Sequence, residues 1–173
     1  MAVIDFETTG LSPAQGDRAT EIAVVILHEG KVVDRYQSLM NAGVRIPSFI
    51  ESLTGISNAM IRSAPPAAEV MREVADFVGG TPLLAHNAGF DSKFWDAELA
   101  RINLQRQQAF ACSLLLSRRL FPQAPSHKLG ALIEFANLPV AGRPHRALAY
   151  SEMAASLIVR LEEEFRPRYQ VRE

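Results

Sequence analysis

The sequence predicts an α/β fold, a mixed five-stranded sheet flanked by helices, and three observations predict it. Three strand-like runs come first and in close succession. From Pro47 onward the apolar period turns helical. Two further short apolar runs then interrupt the helices. Strands followed by alternating strand and helix place helices on the faces of a mixed sheet.

The elements follow in order. Ala2 to Phe6 is a short apolar run, read as a central buried strand that ends in the turn Thr8-Thr9-Gly10. Thr20 to His28 is rich in β-branched residues, and Lys31 to Leu39 follows after Glu29-Gly30, a hairpin signal. These three strands are expected to be antiparallel neighbours. Pro47 can occupy a first helical turn that Gly55 closes. Pro65-Pro66 opens a helix with Val70, Val74, Phe77 and Val78 on one face, and Gly79-Gly80 stops it. Pro82 to His86 reads as a buried strand, and Gly89 to Ile102 as an amphipathic helix carrying Phe90, Phe94, Trp95 and Leu99. Ala109 to Ser113 is a fifth, shorter strand. Helices are expected at about 114–120, 128–136 and 146–165.

Length and composition set bounds. The 173 residues suit a single domain, 1–173, with a full core. The formal net charge is −1, whereas a protein that lies along a nucleic-acid backbone is usually basic. Any nucleic-acid contact is therefore expected to be local, at a chain end. Cys112 is the one cysteine, so no internal disulfide forms, and it reads as a small buried apolar residue. Asp5 and Glu7 interrupt any signal pattern at the start, and the longest clean apolar run, Ile22 to Leu27, is too short for a bilayer. A cytoplasmic protein without membrane contact is expected. The first motif stands so close to Met1 that a few preceding residues are expected too.

Three constellations carry chemistry. In Asp5-Phe6-Glu7, acids two apart on a strand share a face. At the end of an apolar strand a carboxylate is costly unless paired or metal-bound, and two on one face suit a hard cation such as Mg²⁺ or Mn²⁺. Taken alone, the tripeptide fits a strand running out into a polar loop equally well. In His86-Asn87-Ala88-Gly89-Phe90-Asp91, Asp91 falls in a first helical turn, where the helix dipole favours it regardless of function. Beside the first motif it becomes a third acid. His145 precedes the last long helix after the loop Val140–Pro144, and a histidine near a metal site can take a proton at neutral pH. Arg143 and Arg146 flank it, within reach of a phosphate or simply exposed.

The order Asp5-x-Glu-Thr-Thr-Gly-Leu11, Leu53-Thr-Gly-Ile56, Ala85-His-Asn-Ala-x-Phe-Asp91 and His145-Arg-Ala-Leu-Ala149 resembles the DnaQ-like (DEDDh) 3′–5′ exonucleases. These are the relatives of the proofreading epsilon subunit of DNA polymerase III, and the resemblance runs from about Ala2 to Leu161. It implies an RNase H-like fold. It also implies two Mg²⁺ or Mn²⁺ ions, with Asp5 bridging both, Glu7 and Asp91 as further ligands, and His145 as general base. The same resemblance gives Thr8, Thr9, Gly10, Leu11, Leu53, Thr54, Ile56, His86, Asn87 and Phe90 contact with the terminal nucleotide. Gly10 and Gly55 serve equally well as turn and helix cap, and Phe90 equally well as a core aromatic. Phosphodiester hydrolysis needs a nucleophile, a stabilised leaving oxygen and charge neutralisation, which two cations can supply. The implied substrates are single-stranded DNA or RNA 3′ ends, released as nucleoside 5′-monophosphates. No tail for docking a polymerase is evident, Glu162–Glu173 being short and charged.

One position breaks the pattern. The family has an aspartate five residues after the histidine, and here that position is Tyr150. Glu152, the nearest acid, lies about 200° around a helix from it, while Tyr150 shares a face with Ala147, Ala154, Leu157 and Leu161. A phenol with a pKa of about 10 is neutral at physiological pH and replaces a carboxylate poorly. One metal site is therefore expected to be weakened. The alternative is a nuclease-dead module that holds nucleic-acid ends or a nucleotide.

Overall fold

A computed structural model describes residues 1–140, 142–143 and 145–169. Ala141 and Pro144, in the loop expected at Val140–Pro144, and residues 170–173 of the charged tail lie outside the described residues.

Strand β1 (Ala2–Thr8) lies at the centre of a five-stranded sheet of order β3-β2-β1-β4-β5. It pairs antiparallel with β2 (Ala19–His28), which pairs antiparallel with β3 (Lys31–Leu39). On its other side β4 (Leu83–Ala85) and β5 (Phe110–Cys112) run parallel. This is the mixed sheet the sequence predicts. The β2–β3 hairpin closes through Glu29 and Gly30, both with positive φ (49° and 72°), the backbone a two-residue hairpin turn demands. β1 is apolar at consecutive positions because helices cover both faces.

The helices are α1 (Ser48–Thr54), α2 (Asn58–Arg62), α3 (Ala67–Val78), α4 (Ala88–Ala100), α5 (Ser113–Leu120), α6 (Leu129–Phe135) and α7 (Ala147–Tyr169). Pro47 and Pro66 stand just before α1 and α3, in extended conformation, rather than inside a first turn. Helix α2 has no counterpart among the predicted elements. Its five residues show no period, and its start is fixed by Ser57, whose hydroxyl accepts the Met60 N–H at 3.1 Å. Helix α7 runs past Phe165 to Tyr169, and its last turns carry the i,i+4 pair Arg166–Glu162. No helix among the described residues is long and apolar enough to cross a membrane.

Parity along β1 divides the core. Ile4 and Phe6 face Val70 and Val74 of α3 and Phe94 and Trp95 of α4. Val3 faces the other way, with Val25 of β2, Leu120 of α5, Leu132 of α6 and Leu157 of α7. By the same parity Asp5 and Glu7 share the face of Val3, the one α7 covers. A third cluster, Ile46, Ile56 and Ile61 with Leu39 and Ile50, seats α1 and α2 against the end of β3. Cys112 is half-buried rather than fully buried, and its Sγ accepts the Ala88 N–H at 3.4 Å.

Candidate active site

The acids gather at the carboxyl ends of β1 and β4, where open α/β sheets place their sites. Glu7 stands directly across from Glu21 of β2. The parallel β1–β4 ladder stops at Val3 and Leu84, so the Phe6 N–H lies beyond it. Asp91, in the first turn of α4, supplies the partner: its Oδ1 accepts the Phe6 N–H at 3.1 Å. The chain reaches α4 through Asn87, whose left-handed backbone (φ 66°) swings the helix start back toward β1. One hydrogen bond, from a backbone N–H, thus ties the first constellation to the second.

Electrostatics describe a cluster short of positive charge. Burial, then the charges of Asp91, Glu7 and Glu21, raises the Asp5 carboxyl well above its usual range. Burial and the Glu21 charge push Glu7 up to about 8, against a lowering by Arg146. Burial pushes Asp91 to about 8, against a lowering by the Phe6 N–H. Asp5 Oδ2 is buried and has no hydrogen-bond partner. An orphaned carboxylate oxygen beside two further strained acids is costly to the fold unless a cation or proton joins it.

His145 stands just before α7, exposed, with a positive φ of 56°. Its Nδ1 lies 3.0 Å from the Tyr150 hydroxyl. Burial raises the Tyr150 pKa, and the Glu7 and Asp5 charges raise it further, so the phenol stays neutral in the neighbourhood of both acids. Tyr150 is therefore half-buried at the edge of the cluster, and Glu152 turns away to pair with Arg35 of β3 at 2.6 Å. Arg146 does not reach outward toward a phosphate. Its guanidinium grips Glu21, with Nη2 2.7 Å from Oε1 and Nε 3.0 Å from Oε2.

The other predicted contacts fall into two groups. Leu11 and Leu53 are exposed, 77% and 52%, and can meet a ligand, as can the exposed Asn87. Thr8, Thr9, Thr54 and Ile56 are buried. The Thr8 hydroxyl donates to the Gly10 carbonyl, and Thr9 Oγ1 accepts the Arg18 N–H. Thr54 Oγ1 accepts the Ile56 N–H after Gly55 (φ 71°) has closed α1. Both His86 ring nitrogens are engaged, with Ser113 Oγ at 2.9 Å and the His127 carbonyl at 2.8 Å. Phe90 is half-buried, its ring 5.0 Å from that of Phe94, and Lys93 Nζ lies over it, 5.8 Å from its centre. Gly10 leaves room for protein: a Cβ there would sit 2.4 Å from the Asp17 carboxylate, which accepts the Ser12 N–H.

Sequence reasoning missed Glu21 and Glu98. Glu21 is fully buried on β2, and Glu98 of α4 is 2% exposed, gripping Arg18 through two bonds of 2.8 Å. For Glu21 the available signal was an acid inside an apolar, almost wholly buried strand, which requires a partner.

Asp5, Glu7 and Asp91 offer oxygen donors alone, the set a hard divalent cation prefers. Among the described residues no group of three His, Cys, Asp or Glu side chains is placed so as to hold a metal ion. The fit rests instead on the orphaned Asp5 Oδ2 and the uncompensated charge around it. A cavity of about 980 Å³ lies at the other end of β2, beside His28, Val159 and Phe165, and is lined by none of the acids.

The acid cluster offers oxygen donors at the carboxyl ends of a mixed sheet, and the comparisons give the family to which such a chain belongs. Residues 2–158 match the RNase T family, described as Exonuclease, and the chain belongs to that family. It is 37% identical over 168 residues to the 3′–5′ exonuclease DinG of Bacillus subtilis, covering 95% of this chain and 18% of that protein. It is 34% identical over 161 residues to the PolC-type DNA polymerase III of Caldanaerobacter subterraneus subsp. tengcongensis, covering 93% of this chain and 11% of that one. The chain thus spans less than a fifth of these relatives. Among solved structures it superposes on exonuclease X in complex with 5′-overhanging duplex DNA with a TM-score of 0.78 and 26% identity, over 95% of this chain and 92% of that one. It shares its fold with the nuclease domain of a DEDDh family member bound to rAMP, at a TM-score of 0.81 and 24% identity, over 95% and 92% of the two chains. The fold is RNase H-like.

Proposed function

We propose that this chain is a 3′–5′ exonuclease domain that hydrolyses the terminal phosphodiester of single-stranded DNA or RNA and releases nucleoside 5′-monophosphates. The observation that carries the reading is the orphaned Asp5 Oδ2, set among acids that favour a cation or a proton. Asp5, Glu7 and Asp91 would hold Mg²⁺ or Mn²⁺. When bound, the cations supply charge neutralisation at the scissile phosphate and a more acidic water. Nothing in the formal charge of −1 calls for a long-tract binder, which suits an enzyme that grips a chain end.

This chain's own residues do the rest. Phe6 N–H holds Asp91 through Oδ1. His145 accepts the proton of the attacking water at its ring, with Tyr150 at Nδ1. Leu11 and Leu53 present apolar side chains to the terminal nucleotide. The relatives named above include parts of DNA-processing proteins, which favours DNA ends first.

A second reading rests on Tyr150, which puts a neutral phenol where the family pattern has a carboxylate. In that reading the domain binds 3′ ends without cutting them. Digestion of a 5′-labelled single strand with Mg²⁺ and then Mn²⁺ tests the two, with the protein run beside Tyr150→Asp. Shortening from the 3′ end by the unmodified chain supports the exonuclease. Shortening by Tyr150→Asp alone supports the binding module. No shortening by either defeats the nuclease reading.

A further inference from the structure

Glu21 has no place in the proposed chemistry, yet it is the most heavily bonded carboxylate of the described residues. It is fully buried on β2, beside Glu7 and on the same face. It accepts from Arg146 Nη2 at 2.7 Å and Arg146 Nε at 3.0 Å, from the Ala147 backbone N–H at 3.1 Å, and from Gln37 Nε2 at 2.7 Å. Ala147 is the first residue of α7, so Glu21 caps that helix from another strand. Ser151, one turn on, repeats the attachment by donating to the Ala23 carbonyl of β2 at 3.2 Å.

The residue just before this anchored pair is His145. It is exposed, and its φ of 56° places it in the left-handed region that a side chain other than glycine seldom adopts. A backbone held so persists only where its surroundings over-determine it. The surroundings here are Arg146 and Ala147, both fastened to Glu21, and Tyr150 on the ring itself.

We propose that Glu21 is a positioning residue that sets the His145 imidazole against the acid cluster by fixing Arg146 and the first turn of α7. The proposal rests on the exonuclease reading for its catalytic consequence only. The strand that presents Glu7 is paired to the strand that presents Glu21, so acid and histidine share one rigid reference through two side chains and one ladder. Arg146 has a bidentate fork that lysine lacks, so charge alone should not substitute. Displacing a reacting group by about 1 Å can cost on the order of 100-fold in rate.

The test uses Glu21→Gln and, because a buried substitution can prevent folding, Arg146→Lys. Each is read two ways, with His145 assigned by comparison with His145→Gln. The first readout is the ¹³C–¹H spectrum of the His145 ring in chelator-treated protein. The second is kcat and KM on a labelled single strand. The expected result is a shifted or broadened His145 signal with a kcat fall of about 100-fold and little change in KM. An unchanged His145 signal in either folded variant overturns the proposal, as does an equal loss through KM alone. If the unmodified protein cuts nothing while the His145 signal still responds to Glu21, the positioning role stands and the exonuclease reading fails.

Discussion

The Tyr150 hydroxyl lies 3.0 Å from Nδ1 of His145, and the two rings meet edge to face with centroids 5.9 Å apart. If Nδ1 carries the proton it donates to the phenol oxygen, and Nε2 is left as the proton acceptor. If the phenol donates to Nδ1, Nε2 carries the proton and the ring cannot act as a base there. The direction of this one bond therefore goes with which ring nitrogen is basic.

Tyr150→Phe tests this bond apart from the metal site. It removes the hydroxyl without adding a ligand, so metal affinity measured by calorimetry with Mn²⁺ should stay within about twofold, while the pH profile of cleavage moves. Tyr150→Asp should instead tighten metal binding by about 10–100-fold, the usual scale for a ligand-shell partner. Equal behaviour of the two variants in calorimetry would show that the fourth position does not govern the metal site.

The raised acids give the chelator-treated protein a definite pH dependence. Glu7 and Asp91 each move up to about 8, so the folded state binds protons more tightly than the unfolded chain. Stability should therefore be greatest below the unfolded carboxylate range and fall as pH rises toward about 8, the slope following the excess of protons in the folded state. Divalent cation should restore it at the upper end. Glu7→Gln should flatten the curve and raise the melting temperature at pH 8 without metal, while abolishing cleavage. A melting temperature that rises with pH in chelator would contradict the charge assignment.

Asp91 holds the Phe6 N–H, and two substitutions divide that role from the cation binding proposed for it. Asp91→Asn keeps an oxygen for the Phe6 N–H, so the fold should hold while cation binding falls. Asp91→Ala leaves that N–H unsatisfied and should cost about 1–3 kcal/mol in denaturant unfolding. Equal stability of the two would mean that the hydrogen bond contributes nothing.

Gly10 is constrained by Asp17 rather than by its own backbone. A Cβ at that position meets the Asp17 carboxyl at 2.4–2.5 Å, and Asp17 holds the Ser12 N–H at 2.9 Å. Gly10→Ala should destabilise by about 1–3 kcal/mol, the scale of overpacking, and displace the turn that carries Leu11. Adding Asp17→Ala should recover part of the loss. An additive double variant would show that the two residues do not compete for the same space.

Much of the architecture was legible in one dimension because its causes are local. The Glu29-Gly30 turn, the apolar period of 67–78 and the strand parity of Asp5 and Glu7 each depend on residues a few positions apart. Helix α2 escaped because five residues carry no period, and its cap at Ser57 reads as an ordinary loop serine. At the site, the order of motifs named the acids and His145. Glu21 stayed hidden because nothing in the run Thr20–His28 indicates a partner 125 residues away.

By itself the sequence determined the order of strands and of every helix but α2, and the placing of Asp5 with Glu7 on one face. Only the tertiary structure decided that Asp91 holds the Phe6 N–H, that Arg146 turns inward to Glu21, and that Tyr150 touches His145. The physical reason is that propensity and periodicity act along the chain. A buried charge, by contrast, settles on whichever partner the packed sheet and helices bring within about 3 Å.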